Sequence, residues 1–358
     1  VLNDWGGVIK SVGEALKEKF GIEKMPHEYP PQEELALARR YYHIGNLHAA
    51  AAICKKRGAE MPDYAEALRL QGCLAAKEGR TETAILLLTK AVALAAPETG
   101  VQLDVGDALV ATGRFAEARL AYRRALELDQ ESAEPHLRLA ALDLAAGRLD
   151  EARLSAEAAL FRAPQSVDAL TLCGKIQAAC GEKRAAVSSF RRALTTDPQN
   201  CAEALFECAK LFIEAGKLRS ALVLLGRAAE MEPQNSAVAE LMSTVYLALG
   251  NKAEALRHME RACRIEPSRE RLLKLADLAE LAGQEETALQ ALFGALEVDA
   301  SLAEAHLKVA GIFERRGNLA QMLESFAQAL ICDPSCAVAQ EGYARAKRLL
   351  NLGAGGRS

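Results

Sequence analysis

The sequence predicts an all-α solenoid, a stack of helix–turn–helix hairpins without β-structure. Glycine recurs at an interval near 34 residues, alanine recurs at two fixed offsets from it, and aromatics are only 5% of a chain that is 50% hydrophobic. A fixed period of this length marks a helical-repeat array rather than separate globular domains. The length of 358 residues alone suggests about two domains, and the period replaces that estimate. A core poor in rings is built from Ala and Leu, both strong helix formers.

The recurrent glycines are Gly45, Gly79, Gly113, Gly147, Gly181, Gly216, Gly250, Gly283 and Gly317, spaced by 34, 34, 34, 34, 35, 34, 33 and 34 residues. Seven residues before each stands a small one: Ala38, Gly72, Gly106, Ala140, Gly174, Ala209, Ser243, Ala276 and Ala310. Five residues after the first eight stand Ala50, Ala84, Ala118, Ala152, Ala186, Ala221, Ala255 and Ala288, with Met322 in the ninth place. Seven further on come Ala91, Ala125, Ala159, Ala193, Ala228, Ala262, Ala295 and Ala329, with Arg57 in the first repeat. Pro62, Pro164, Pro198, Pro233, Pro267 and Pro334 close six repeats.

Each mark has a physical role. The Gly ends one helix in a left-handed conformation that other residues adopt only at a cost. The small residue before it and the Ala after it let two antiparallel helices approach closely. The second Ala lets the next hairpin dock. The Pro, preceded by Asp197, Glu232, Glu266 or Asp333 in four repeats, ends the second helix.

These marks resemble the tetratricopeptide repeat family, whose hairpin of about 34 residues carries small residues and a closing Pro at such places. Glu134 to Pro164 shows them together, in Leu139, Ala140, Gly147, Leu149, Ala152, Ala159 and Pro164. The resemblance covers nine repeats, 31–64, 65–98, 99–132, 133–166, 167–201, 202–235, 236–268, 269–302 and 303–336. A capping helix 337–352 and a disordered tail 353–358 are expected to follow. The family's aromatic at position 4 is absent, from Glu34 and Leu68 through His306. The resemblance implies a right-handed superhelix whose concave groove is lined by the first helix of each repeat, at positions 2, 5, 9, 12 and 13.

Residues 1–30 fall outside the register. Trp5, Val8, Ile9, Val12, Leu16 and Phe20 recur at helical spacing, so this segment reads as an amphipathic helix that caps the first repeat, with partner binding as the other reading. Balanced acids and lysines leave it no net basic charge for a lipid surface. No apolar run approaches a membrane span. No signal peptide is visible, although the chain starts at Val1 and a leader could have been removed. Nine cysteines scattered through helical segments do not make a secreted disulfide framework, and a reducing, cytoplasmic setting is expected.

The sequence predicts no enzyme, cofactor or metal site. His27, His43, His48, His136, His258 and His306 form no metal-ligand pair on one helix face. Cys173 and Cys180, like Cys201 and Cys208, are seven residues apart, about 10 Å along a helix and too far for one zinc. The cysteines read as packing residues, with Cys73 turned to the groove. No phosphate loop or nucleophile elbow is present. Glu66, Glu134, Asp168, Glu203, Glu270 and Glu304 stand at helix starts, where they offset the helix dipole.

Function is therefore expected in the groove, as a scaffold or adaptor that binds a protein segment. The candidate residues are Arg39, Tyr42, Arg69, Lys77, Leu103, Val110, Leu144, Lys175, Phe206, Lys210, Ile213, Glu240, Asp277, Glu280 and Glu314, with Leu35, Leu137, Leu247, Leu273 and Leu307 as further apolar members. Their charges run from basic in the early repeats to acidic in the late ones, broken by Asp107 and Arg315, so an acidic segment end is expected toward the early repeats. No Asn occupies a groove position, against two recognition modes the family uses, the Lys–Asn carboxylate clamp and the Asn ladder. Two other readings are a substrate-recruiting arm of a larger glycosyltransferase- or sulfotransferase-like enzyme and an RNA-binding helical repeat. A net charge of −4 and scarce aromatics oppose nucleic acid. Self-association through solenoid ends is left open.

Overall fold

The computed structural model describes residues 31–60, 64–94 and 98–355. Among them are nineteen helices and no strand, an all-α solenoid. The hairpins are α1 (Pro31–His43) with α2 (Leu47–Glu60), α3 (Ala65–Lys77) with α4 (Thr81–Leu94), α5 (Thr99–Ala111) with α6 (Phe115–Leu128), and α7 (Glu134–Ala145) with α8 (Leu149–Arg162). They continue as α9 (Val167–Ala179) with α10 (Lys183–Thr196), α11 (Ala202–Glu214) with α12 (Leu218–Met231), and α13 (Ser236–Ala248) with α14 (Lys252–Ile265). The last are α15 (Arg269–Leu281) with α16 (Glu285–Val298), α17 (Ala303–Arg315) with α18 (Leu319–Cys332), and then α19 (Ala337–Gly355). The final helix takes in Gly353 to Gly355, expected as tail, because no Pro stops it and Leu352 and Ala354 favour helix. The amphipathic segment expected over 1–30 and the last tail residues, 356–358, lie outside the described residues. The chain forms two bodies, one ending at Arg162 and one beginning at Ala163.

The turn inside each hairpin is one repeated motif. All nine marker glycines have φ between 70° and 81°, and among the described residues no other residue type has positive φ. At Gly147, its amide donates to the Leu144 carbonyl at 3.0 Å and the Arg148 amide donates to the Asp143 carbonyl at 2.8 Å. This pair satisfies carbonyls that the helix end would leave orphaned. Asn46, Asn251 and Asn318, just after the turn, accept the amide hydrogen of the third residue of the next helix and so serve as its caps. Between repeats, the carboxylates of Asp197, Asp299 and Asp333 accept the amides of Gln199, Ser301 and Ser335 at 3.0 Å.

Packing follows the small positions. The alanines five residues after the glycine are at most 1% exposed, and those seven further on, from Ala91 to Ala329, are 0% exposed. Within a hairpin, the small residue before the turn faces one side chain of the second helix; at Gly106 and Gly174 the missing Cβ makes room for a ring, and at Gly72 for Leu88. A Cβ on Gly106 would lie 2.2 Å from the Tyr122 ring, and one on Gly174 would lie 2.5 Å from the Phe190 ring. Where the small residue is Ala, as at Ala209 and Ala276, the residue in the facing register is Leu225 or Leu292, both 0% exposed. Each second helix also packs on the first helix of the next repeat within its body. In the C-terminal body one core cluster runs from Ala239 to Ala346, and Ala339 and Ala346 close it from α19. In the N-terminal body the cores join consecutive repeats, as where Leu68, Ala91 and Val101 meet.

Substituting Gly174→Ala forces the Phe190 ring aside. Overpacking costs about 1–3 kcal/mol and exceeds the helix-propensity gain of about 1 kcal/mol, so urea unfolding should show net destabilisation. Adding Phe190→Leu, which recreates the Ala–Leu combination of Ala209 and Leu225, should restore most of it. A double mutant no more stable than the single one would refute this packing.

Candidate groove on the first helices

The first helices carry all of the candidate residues. In the N-terminal body α1, α3, α5 and α7 touch in succession. Tyr42, Leu103, Val110 and Leu144 are half-buried along them, each leaving part of an apolar surface open. The Lys77 ammonium lies 6.0 Å from the centre of the Tyr42 ring, joining repeats 1 and 2. In the C-terminal body Phe206, Ile213, Leu247, Leu273 and Leu307 are likewise half-buried. Lys210 stands 5.7 Å over the Phe206 ring. Leu35 and Leu137, expected among the groove's apolar members, are instead core residues with 1% and 8% exposure. Leu35 turns into the cluster that joins repeats 1 and 2, so its helix presents only Tyr42 as an apolar surface residue from the candidate set.

The charged candidates are arranged differently from the expected gradient. Nearly all of them meet an opposite charge, in most cases on the next repeat. Arg39 pairs with Glu66. Arg69 pairs with Asp104 at 2.5 Å, with Glu98 3.9 Å away. Asp107 pairs with Arg138 at 3.2 Å and accepts the Tyr122 hydroxyl at 2.7 Å. In the C-terminal body Lys175 pairs with Glu203 at 2.8 Å. Glu240 accepts from Arg271 at 2.9 Å and Lys274 at 2.6 Å. Asp277 pairs with Lys308, Glu280 with Arg315 at 2.8 Å, and Glu314 with Arg345 at 2.7 Å. Lys210 pairs within its own helix with Glu207 at 2.8 Å. The basic-to-acidic run is present in the candidate positions, but these partners neutralise it.

Apart from Arg315, the neutralising residues lie outside the candidate positions. Asp104, Arg138, Lys274 and Lys308 stand one place after the position 5 residue of their repeats, and Glu66 and Glu203 were read only as helix-dipole partners. The signal that finds them is the period itself, since these partners lie 27 to 35 residues from the charge they meet. Half-exposed pairs of this kind contribute little stability individually. Their geometry still links the faces of consecutive helices.

Burial and these partners set the ionisation of the face. Burial pushes the Tyr42 hydroxyl up to about 12, helped by the nearby Cys73, Asp104 and Asp107. Cys73, expected to face the groove, is half-buried there, and burial and then Asp104 raise its thiol well above the ordinary range. Burial alone would raise the Glu240 carboxyl, but the hydrogen bonds from Lys274 and Arg271 outweigh it and hold the carboxyl low. None of the nine cysteines is in a disulfide, and burial pushes Cys54 and Cys263 up to about 11. Among the described residues no group of three His, Cys, Asp or Glu side chains is placed to hold a metal ion. No helix there is long and apolar enough to cross a membrane.

Comparison with known proteins supports the same architecture. Models of the tetratricopeptide repeat match residues 109–176 and 181–245, and 240–269. No curated protein matches the sequence. The fold is similar to that of human IFIT1 in a dimer with m7Gppp-AAAA, with a TM-score of 0.62 and 18% identity over 90% of this chain and 76% of that one. It is also similar to the C-terminal part of a TPR repeat-containing protein from Cytophaga hutchinsonii, with a TM-score of 0.53 and 16% identity over 66% of this chain and 97% of that one. At these identities the likeness is one of fold.

Two outcomes follow from this electrostatics. A carboxyl held low stabilises the fold above its unfolded pKa, and that stability is lost as pH falls through the folded value. Glu240, Glu285, Asp197, Asp299 and Asp333 are all held low. The melting temperature should therefore fall as pH drops below about 4.5, and Asp197→Asn, Asp299→Asn and Asp333→Asn together should flatten that fall. Cys73 should resist a thiolate-selective alkylating reagent at pH about 8, as read residue by residue in a mass spectrum. Rapid labelling of Cys73 in the folded protein would contradict the geometry around Asp104.

Proposed function

Because the chain belongs to the tetratricopeptide-repeat family, whose arrays are protein-interaction scaffolds, we propose that it is a non-catalytic adaptor that holds a protein segment against the exposed face of its first helices. The observation that carries this reading is the row of half-buried apolar side chains on a face whose charges are already neutralised. In the N-terminal body the anchors are Tyr42, Leu103, Val110 and Leu144; in the C-terminal body they are Phe206 and Ile213. Apolar anchors of this kind supply most of the affinity of an interface, and charges around them set specificity and rate.

The charged candidates, Arg39, Arg69, Lys77, Lys175, Lys210, Glu240, Asp277, Glu280 and Glu314, then have a positioning role. Except for Lys77, which lies over Tyr42, they are held in the pairs described above. A segment bound along such a face is oriented by the shape of its apolar contacts rather than by a net field. Nine cysteines without a disulfide suit a reducing, cytoplasmic setting.

The likeness in fold to human IFIT1 with m7Gppp-AAAA raises RNA as a second reading. A neutralised face offers little to a string of phosphates, whose binding depends on unpaired Lys and Arg. Affinity capture of partners by the full chain, compared with a Val110→Ser, Leu144→Ser and Phe206→Ser variant, tests the proposal. Peptides cross-linked to the first helices by the parent chain should be lost from the variant, with affinity reduced about tenfold or more. Undiminished capture by the variant, or retention of RNA at low salt that the variant loses, would overturn it.

A further inference from the structure

The second helices of repeats 5 and 6 carry a charged surface that the groove does not use. Helix α10 holds Lys183, Arg184, Arg191 and Arg192 and no acidic residue. Helix α12 adds Arg219 and Arg227, with Glu230 as its one acid. Arg184, Arg191, Arg192, Arg219 and Arg227 are all exposed, and among the described residues none of the five has an ion-pair partner. This contrasts with the first-helix face, where nearly every charged candidate is matched. The arrangement also repeats: Arg184 and Arg219 are 35 residues apart, as are Arg192 and Arg227. These separations equal the local repeat, so each pair holds the same register position on neighbouring second helices. The two rows are eight residues apart on each helix, about 12 Å.

We infer that this arginine face of the C-terminal body is a second docking surface, and that its occupant is an acidic protein segment. Guanidinium groups fixed on a helical scaffold match discrete carboxylates by paired hydrogen bonds. The array uses the same chemistry internally, where the Arg271 guanidinium donates to the Glu240 carboxylate. A single-stranded RNA would need exposed aromatics for its bases. The only aromatic on α10 and α12 is Phe190, which is 0% exposed. A lipid surface would need apolar side chains to insert, and the one large apolar residue well exposed on these helices is Val223.

The test uses the full chain and a labelled glutamate-rich peptide of about 20 residues, read by fluorescence anisotropy at about 50 mM and about 300 mM salt. Binding is expected at low salt and should weaken as salt rises. Arg184→Glu, Arg192→Glu, Arg219→Glu and Arg227→Glu together should weaken it about tenfold or more. The same variant should keep the parent's circular dichroism and melting curve, since these side chains are exposed. The first-helix variant that tests the proposed adaptor role should bind the peptide as the parent does, which separates the two surfaces. Absence of peptide binding, binding unchanged by the charge reversal, or tighter binding of a poly(A) strand or of phosphatidylserine vesicles than of the peptide would each overturn the assignment.

Discussion

Close approach of the two helices in each hairpin governs the rest of the structure. It needs a left-handed turn, which the nine glycines provide, and a gap in the wall of the first helix, which Gly72, Gly106, Gly174, Ser243 or an Ala provides. The gap is filled from the second helix, by Leu88, Tyr122 and Phe190 opposite glycine and by Leu225 and Leu292 in the register that faces two of the alanines. Within each body the second helices dock on the next first helix, with the alanines from Ala91 to Ala329 at 0% exposure. Interiors are packed densely enough that one misplaced methylene is felt, and in a stack of hairpins every repeat inherits the placement of its neighbour.

That regular spacing explains how charges behave on the surface. Equivalent positions of consecutive first helices are neighbours, so an acid and a base about one period apart meet. Arg69 with Asp104, Glu240 with Arg271 and Lys274, and Glu314 with Arg345 are such pairs. Each contributes little energy where half-exposed, and together they leave the first-helix face electrically quiet with apolar side chains between. On the second helices of repeats 5 and 6 the same period puts arginine at the same register positions, with no acid in α10 to answer them. One geometric rule therefore produces a neutral face and a cationic one, according to which residue types occupy the register.

The sequence alone determined the hairpins, their turns and their small contact positions. These depend on local chain conformation and on a period that repeats often enough to be read without coordinates. It also carried the half-buried apolar side chains Tyr42, Leu103, Val110, Leu144, Phe206 and Ile213, because a position on a helix fixes the face it occupies. Only the tertiary structure decided that Leu35 and Leu137 turn inward where Leu103, at the same register position, stays half-open. Only it showed that Asp104, Arg138, Lys274 and Lys308 cancel the charges that the candidate positions display. The physical reason is the same in both cases. Burial and ion pairing at those places are properties of two helices brought together across about one full repeat, and the distance between their side chains is set by stacking, not by the residues on either helix alone.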